Sequence, residues 1–182
     1  MQIDFDDYSI APIQAKDAWR LCDLMVSNSD RFKDYFPETL KENLTPTLSE
    51  LFVAKKVKEF SNKEEFLFTI KENTNRTIIG LMYVKELQKR KGQGELAYCI
   101  GYQNTGKGII TKATHKIINW CFKEIYLDTL QIIVNRSNIA SVRVAEKNLF
   151  TWKKTDSKVF QLSNGEFVDM ELYELYRENW IK

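Results

Sequence analysis

Hydrophobic and polar positions follow two periods along this chain, and their order predicts a mixed α/β fold. Short β-rich runs, typical of strands, lie at residues 8–13, 66–71, 77–87, 94–101, 129–134, 150–161 and 167–176. Apolar positions at helical spacing lie at 16–29, 46–60, 108–125 and 139–150. The pattern predicts about seven strands and about four helices in the fold class α/β (α+β).

The lengths of the connections predict how the strands pair. Short turns, the last of them at 88–94, join the three strands between 66 and 101, which favours antiparallel pairing, whereas the strand–helix–strand stretch at 94–134 implies a parallel pair. Thr45 and Pro46 are typical of a helix N-cap and a first helical position. The aromatic-rich stretch 27–39 before them predicts a loop or a broken helix. No linker or repeat interrupts the chain, so we expect a single domain over 1–182.

A glycine-rich turn between a predicted strand and the clearest predicted helix is the strongest candidate for a binding site. Five of the seven glycines lie within one short stretch: Gly92, Gly94, Gly101, Gly106 and Gly108. Glycine lets a ligand approach the main chain closely. The first N–H groups of a helix have no internal partner, and the helix dipole adds positive potential there. The turn therefore predicts a site for a phosphate or pyrophosphate.

Two common nucleotide-binding motifs do not fit this turn. A dinucleotide-binding fingerprint needs a third glycine, and the candidate, Gly106-x-Gly108, lacks it and sits in mid-chain. A P-loop needs Ser or Thr after Gly-Lys, and Gly108 follows Gly106-Lys107 instead. A nucleotide-binding domain of another type remains a distant alternative.

Composition and charge limit the partners of the protein. A formal net charge of +2, with 43% hydrophobic and 29% charged residues, describes a soluble globular protein and gives no reason to expect nucleic acid. Three widely spaced cysteines and a single histidine, His115, argue against a disulfide framework or a metal site. No window approaches the ~18 to 20 apolar residues of a membrane span, and the acidic amino terminus is unlike a signal peptide. We therefore expect a cytoplasmic protein with no metal, nucleic acid or membrane partner.

Two segments carry a resemblance to a known family. LAYCIGYQNTGKGIITKA (96–113) and VNRSNIASVRVAEKNLF (134–150) closely resemble the GNAT N-acetyltransferases, in particular the RimJ/RimL-like branch. The order of predicted elements agrees over nearly the whole chain. The resemblance implies a mixed, mostly antiparallel sheet with a splayed central strand pair, and acetyl-CoA as cosubstrate.

The resemblance also assigns residues to the cofactor. They are Thr105, Gly106, Lys107, Gly108, Ile109 and Ile110 in the pyrophosphate loop, with Cys99 and Ile100 on the splayed strand, and Asn138 and Lys147 on the next helix. In the family register Thr105 occupies the usual Gln/Arg position, and Gln103 lies outside the core signature. Plainer interpretations stay open: an inert buried thiol for Cys99, a helix N-cap for Asn138 and a solvated helix face for Lys147.

The resemblance further implies direct attack of an amine on the thioester, through a tetrahedral intermediate. Glu95 corresponds to the acidic position often proposed as the base, and Ser141 lies where this branch often has a serine near the leaving thiolate. Ala145 stands where many members have a tyrosine acid. The helix ends in Leu149-Phe150 in place of the usual Gly-Phe, so we expect the left-handed cap to fall on Asn148.

These observations favour an enzyme that transfers an acetyl group from acetyl-CoA to a primary amine. A protein amino terminus of the ribosomal-protein type is the favoured acceptor, and polyamines or other small amines are alternatives. The runner-up is a catalytically degenerate module that binds or senses acyl-CoA without turnover. A monomer and a homodimer are both compatible with the sequence.

Overall fold

The strands form an open sheet, which we describe from a computed structural model covering residues 1–87 and 90–180. In chain order they are β1 (Ile3–Phe5), β2 (Tyr8–Pro12), β3 (Phe66–Glu72), β4 (Ile78–Lys85), β5 (Gln93–Ile100), β6 (Thr129–Val134), β7 (Thr151–Gln161) and β8 (Phe167–Tyr176). The order across the mostly antiparallel sheet is β1-β2-β3-β4-β5-β6-β8-β7. Residues 88–89 of the turn predicted at 88–94 lie outside the described residues.

Helices occupy the connections of the sheet. Those of the described residues are α1 (Ala18–Ser27), α2 (Ser29–Phe32), α3 (Pro37–Lys41), α4 (Pro46–Ser61), α5 (Ile109–Lys123), α6 (Ile139–Lys147) and α7 (Arg177–Trp180), with 3-10 turns at Ala15–Asp17 and Tyr102–Asn104. The four long predicted helices are confirmed. Of the two alternatives expected for 27–39, a loop or a broken helix, the structure has the second, because α2 and α3 occupy that region as two short pieces.

One strand and several helix ends were not predicted. β1 is three residues long, and its sequence, Ile-Asp-Phe, offers too few apolar positions to show a period. Asp6, in the turn to β2, has a positive φ of 45°. The helix predicted from residue 16 begins at Ala18, because residues 15–17 form a tighter 3-10 turn. Short elements of this kind carry little periodic signal.

The chain divides into two compact units, and β4 and β5 each run from one unit into the other. The first unit comprises Met1–Tyr83 and Tyr98–Lys107, and the second comprises Val84–Ala97 and the chain from Gly108 onward. The single domain expected from the sequence stays a prediction.

In the first unit, α1 packs against α4, and α4 also contacts β3. α1 buries Leu21 and Met25, one turn apart, while α4 buries Phe52 and Val53. The predicted cap of α4 is confirmed, since the hydroxyl of Thr45 accepts a hydrogen bond from the N–H of Leu48 at 3.3 Å. The helical periodicity of the sequence thus reflects a real apolar interface.

In the second unit, β5 and β6 form the parallel pair that the strand–helix–strand pattern implied. Their ladder joins 93–95 to 129–131, and its last described pair is Glu95 with Gln131. Both strands continue beyond that pair, β5 to Ile100 and β6 to Val134. β6 is instead paired along its whole length with β8. The described parallel ladder is therefore confined to the first residues of each strand, 93–95 and 129–131.

The end of α6 corrects one expectation. Asn148 does not adopt the left-handed conformation, and Leu149 does, at φ 64°. The N–H groups of Leu149 and Phe150 bond to the carbonyls of Glu146 and Ala145 at 3.0 and 3.1 Å, the pattern of a Schellman motif. Asn148 is buried, and its amide donates to the carbonyls of Val144 and Thr111. The side chain of Asn148 thereby links α6 to α5. The left-handed cap falls one residue later, on Leu149.

Candidate functional site

The predicted site residues fall in both units. The first unit holds Cys99, Ile100, Thr105, Gly106 and Lys107, and the second holds Glu95, Gly108, Ile109, Ile110, Asn138, Ser141 and Lys147.

In the first unit, the end of β5 is held close to β4. A Cβ added at Gly80 would lie 2.6 Å from the carbonyl oxygen of Cys99, so only glycine fits at this approach. The N–H of Gly101 donates to the carbonyl of Ile79 at 2.8 Å. Burial raises the pKa of the Cys99 thiol to about 12, which outweighs the opposing effects of the Leu81 N–H and Arg31. The thiol is therefore protonated at neutral pH, as an inert role for the side chain requires.

Two residues that the sequence did not single out hold the strand end and the loop that follows. The side chain of Asn28, at the end of α1, accepts the N–H of Tyr102 at 2.8 Å and donates to the carbonyl of Leu24. The guanidinium Nε of Arg31 donates to the carbonyl of Ile100 at 3.2 Å. Nothing in a polar stretch such as Asn-Ser-Asp-Arg distinguishes these contacts from solvated side chains.

The glycine loop begins with the 3-10 turn Tyr102–Asn104. Thr105 ends this turn, and its hydroxyl donates to the carbonyl of Tyr102 at 2.8 Å. Gly106 follows with φ 76°, a conformation that side chains other than glycine's rarely adopt. Lys107 is exposed and contacts the side-chain oxygen of Asn104 at 3.4 Å. Thr105 therefore stabilises the loop itself, whatever its side chain contributes to a ligand.

Gly108 is the N-cap of α5 in the second unit. Its φ is 75°, and no side chain caps the helix. The N–H of Lys112 bonds to the carbonyl of Gly108, so the N–H groups one turn earlier, including those of Ile109 and Ile110, have no partner within the helix. A Cβ added at Gly108, or at Gly106, would meet no atom within 4 Å. Within the second unit, a left-handed glycine with open space around its Cα therefore precedes an uncapped helix start, an arrangement suited to binding an anion.

Asn138 and Ser141 are brought together at the start of α6. The side-chain oxygen of Asn138 accepts the N–H of Ser141 at 3.2 Å, which confirms the N-cap. Both side chains are half-buried, whereas Lys147 in the last turn is exposed. Ala145, at the position of the family's tyrosine, is fully buried and carries no polar group.

Glu95 lies where the parallel ladder ends. Its carboxylate forms an ion pair with Lys85 at 3.0 Å, and the side chain is only 14% exposed. It is directly opposite Gln131, and Gln131 is directly opposite Glu174 on β8. Hydrogen bonds from Tyr176 and Gln131 hold the pKa of Glu174 below its usual value against the effect of burial. The sequence did not reveal this row, because the pairing of distant strands creates it.

Comparison with known families decides the class of the protein. Residues 9–151 match the model of the acetyltransferase (GNAT) domain. The chain belongs to the GNAT acetyltransferase family. The family resemblance, the fold class and the enzyme class, an acyl-CoA N-acyltransferase, are thereby confirmed. GNAT enzymes use acetyl-CoA as the acetyl donor.

Individual relatives of this GNAT chain agree with that assignment. It is 25% identical over 172 residues to a putative ribosomal N-acetyltransferase, YdaF, of Bacillus subtilis, covering 94% of this chain and 92% of YdaF. Its fold matches the ribosomal-protein-S5-alanine acetyltransferase of Vibrio fischeri with a TM-score of 0.92 at 20% identity over 100% of both chains. It also matches RimL, a ribosomal L7/L12 alpha-N-protein acetyltransferase solved with coenzyme A, with a TM-score of 0.88 at 14% identity over 98% and 99% of the chains.

The described part of the GNAT chain has neither a metal-binding cluster nor a membrane-spanning helix. Residues 1–87 and 90–180 contain no group of three or more His, Cys, Asp or Glu side chains placed to hold a metal ion. None of the helices described in these ranges is long and apolar enough to cross a membrane.

Proposed function

We propose that this GNAT chain transfers the acetyl group of acetyl-CoA to a primary amine, with a protein amino terminus as the favoured acceptor. The observation that carries the choice of acetyl-CoA as donor is the uncapped start of α5 at the left-handed Gly108, two residues along the chain from the left-handed Gly106. The acceptor half is supported by the ribosomal N-acetyltransferase names among its relatives.

In this proposal the cofactor is held mainly by backbone groups. The amides from Thr105 to Ile110 bind the pyrophosphate, so the absence of the family's Gln or Arg at Thr105 removes one side-chain contact and leaves the main-chain donors. The backbone of Cys99 and Ile100 pairs with the pantetheine arm. Asn138 adds a side-chain contact to that arm, and Lys147 reaches toward the phosphates.

Catalysis then requires a proton acceptor for the amine and a donor for the leaving thiolate. We assign the first role to Glu95, acting directly or through water, from its position at the end of the ladder. We assign the second to Ser141, because Ala145 offers no proton. The ion pair with Lys85 keeps the Glu95 carboxylate in place for this role.

A second candidate function keeps acetyl-CoA binding and drops turnover. Ala145 at the tyrosine position and Thr105 at the Gln/Arg position favour such a binding or sensing module. Release of free thiol from acetyl-CoA, measured with a panel of amines and short peptides, separates the two. Tight binding of coenzyme A without thiol release from any acceptor would support the module. Release with at least one amine would support the transferase.

The glycine pair can be tested against a matched control. Gly106→Ala and Gly108→Ala each put a side chain where φ is positive, at a strain of about 1 to 2 kcal/mol, without a clash in the free protein. If the amides hold a pyrophosphate, both should weaken acetyl-CoA binding by about tenfold or more. Gly165→Ala, in the β7–β8 turn at φ 87°, imposes similar strain elsewhere and should leave cofactor binding unchanged. Equal cofactor affinity in all three variants would argue against pyrophosphate binding by the loop. Whether the chain acts as a monomer or a homodimer stays a prediction.

A further inference from the structure

A buried carboxylate lies near the end of the sheet in the second unit, where the sequence predicted only a strand. Glu171, on β8, is 3% exposed and is paired in register with Val134, the last residue of β6, and with Thr155 on β7. A carboxylate in such a position is costly unless donors surround it.

Three donor side chains, one from the turn after β6 and two from β7, converge on Glu171. Its Oε1 accepts from Nε and Nη2 of Arg136 at 2.8 and 2.7 Å. Its Oε2 accepts from the indole N–H of Trp152 at 2.5 Å and from the hydroxyl of Thr155 at 2.8 Å. These hydrogen bonds outweigh the effect of burial and lower the pKa of Glu171. The carboxylate is fully satisfied, so it acts as an anchor.

The anchored groups face outward. The Arg136 side chain is 77% exposed, and Trp152 is 54% exposed. Within the described part of the chain, the contacts of Arg136 engage Nε and Nη2 only, which leaves Nη1 and the outer edge of the fork for a ligand. A guanidinium held along one edge is pre-organised to bind a carboxylate or phosphate in bidentate fashion along the other.

The turn that carries Arg136 is itself fixed. The N–H of Asn138 donates to the carbonyl of Asn135 at 2.9 Å, which closes the turn 135–138. The side chain of Asn135 donates to the carbonyl of Asp169, two residues before Glu171 on β8. Arg136 is therefore held at both its backbone and its guanidinium. It lies two residues from Asn138, at most about 7 Å along the chain.

We propose that Arg136 and Trp152 form an oxyanion subsite for the acceptor, which takes a carboxylate or phosphate attached a few bonds from the reacting amine. This inference rests on the proposed function, in which Asn138 contacts the pantetheine arm. Arg136 supplies the paired donors, and the exposed part of the Trp152 side chain covers the apolar part of the same acceptor. Because Glu171 neutralises Arg136, recognition comes from directed N–H groups and not from net charge.

Matched acceptors test the subsite. Two peptides that share a free Ser amino terminus and differ by Glu or Gln at the second residue probe a carboxylate, and phosphoethanolamine against ethanolamine probes a phosphate. With thiol release as readout, we expect the anionic member of at least one pair to have a KM lower by about tenfold. The pair that shows the difference identifies the source of the oxyanion.

Variants assign the preference to Arg136. Arg136→Met should abolish it, and Arg136→Lys should restore only part of it, because a lysine cannot make the bidentate contact. KM for acetyl-CoA should change by less than about twofold in both. Lys154→Ala removes a charge from β7, where Lys154 contacts Asp156 at 2.8 Å, and should retain the preference. An unchanged preference in Arg136→Met, or a parallel rise in KM for acetyl-CoA, would overturn the proposal.

A turnover-independent measurement separates this proposal from the proposed function. The indole N–H resonance of Trp152, identified by its loss in Trp152→Phe, should shift on titration with inorganic phosphate in the wild type and not in Arg136→Met. If no amine is acetylated but this shift is seen, the transferase fails while the oxyanion subsite stands. If phosphate leaves the resonance in place and no acceptor pair shows a preference, the subsite is refuted.

Discussion

Two buried carboxylates, one in each unit, are each compensated by a cation, but the two cations differ in their exposure to solvent. In the first unit, Asp17 and Lys71 form an ion pair at 2.6 Å with side chains that are 1% and 3% exposed. In the second, Glu171 is as deeply buried, but its cationic partner, Arg136, reaches it from solvent. We call the first pair closed, because both of its charges are buried, and the second pair open, because its cation is exposed.

The difference has physical consequences. A closed pair loses the hydration of both charges, so it stabilises the fold only while both partners are present. Asp17 also accepts the N–H of Gln14, which fixes the 3-10 turn before α1. An open pair keeps part of the hydration of its cation and leaves donors free for another molecule. We therefore expect the Asp17 region to matter chiefly for stability and the Glu171 region also for binding.

The largest expected effect comes from breaking the closed pair. Lys71→Met keeps the approximate side-chain volume and leaves Asp17 buried without its cation. The free energy of unfolding should fall by about 3 to 5 kcal/mol. Denaturation with urea measures the loss.

Two further variants complete this test. Lys16→Ala, at an exposed position beside Asp17, should change the unfolding free energy by less than about 0.5 kcal/mol. Asp17→Asn combined with Lys71→Met should recover part of the loss, because no unpaired charge then remains buried. A loss below about 1 kcal/mol in Lys71→Met would contradict the view of a closed, desolvated pair.

Neither pair could be predicted from the sequence, although most of the fold could. The period of apolar residues located β6 and the long helices, since each buries one continuous face. The capping chemistry of Thr45 and Asn138 was equally local and was confirmed. β1 was missed because three residues carry no period. The Asp17–Lys71 contact joins residues 54 positions apart, which depends on strand register.

The candidate site likewise has features that the sequence predicted and features that it did not. Glycine spacing in a strand-to-helix turn drew attention to Gly106 and Gly108, and the structure shows both in the left-handed conformation that glycine tolerates. The family register, not periodicity, supplied the roles proposed for Glu95 and Ser141. The Arg136–Glu171 cluster was missed because its members come from three separate segments. No spacing rule connects a loop arginine to a strand glutamate 35 residues away.

Protonation of Glu171 offers a second, smaller way to test the comparison. Glu171→Gln places an amide among donors from Trp152, Thr155 and Arg136, and should cost about 2 kcal/mol at neutral pH. The folded-state pKa of Glu171 is lowered, so its contribution is fully present above the ordinary glutamate value of about 4.3 and is lost as pH falls through the lower folded value. The difference between variant and wild type should therefore shrink below about pH 4.

Urea unfolding at several pH values between about 7 and 3.5 measures this profile. Glu166→Gln, at an exposed position in the β7–β8 turn, is the control and should stay within about 0.5 kcal/mol of the wild type throughout. A penalty for Glu171→Gln that is constant over the whole range would show that the carboxylate charge contributes nothing to stability.

The smallest expected effect is the difference in salt sensitivity between the open pair and the closed pair. Arg136→Ala leaves Glu171 with the donors of Trp152 and Thr155, so we expect a loss of about 1 kcal/mol at low ionic strength. In about 1 M NaCl the Debye length falls to about 3 Å, and the exposed guanidinium is screened. The loss should then decrease by about half, while that of Lys71→Met should stay the same because salt does not reach its pair. Equal salt sensitivity of the two losses would mean that Arg136 is as enclosed as Lys71, and the outer edge of its fork would then be closed to an acceptor.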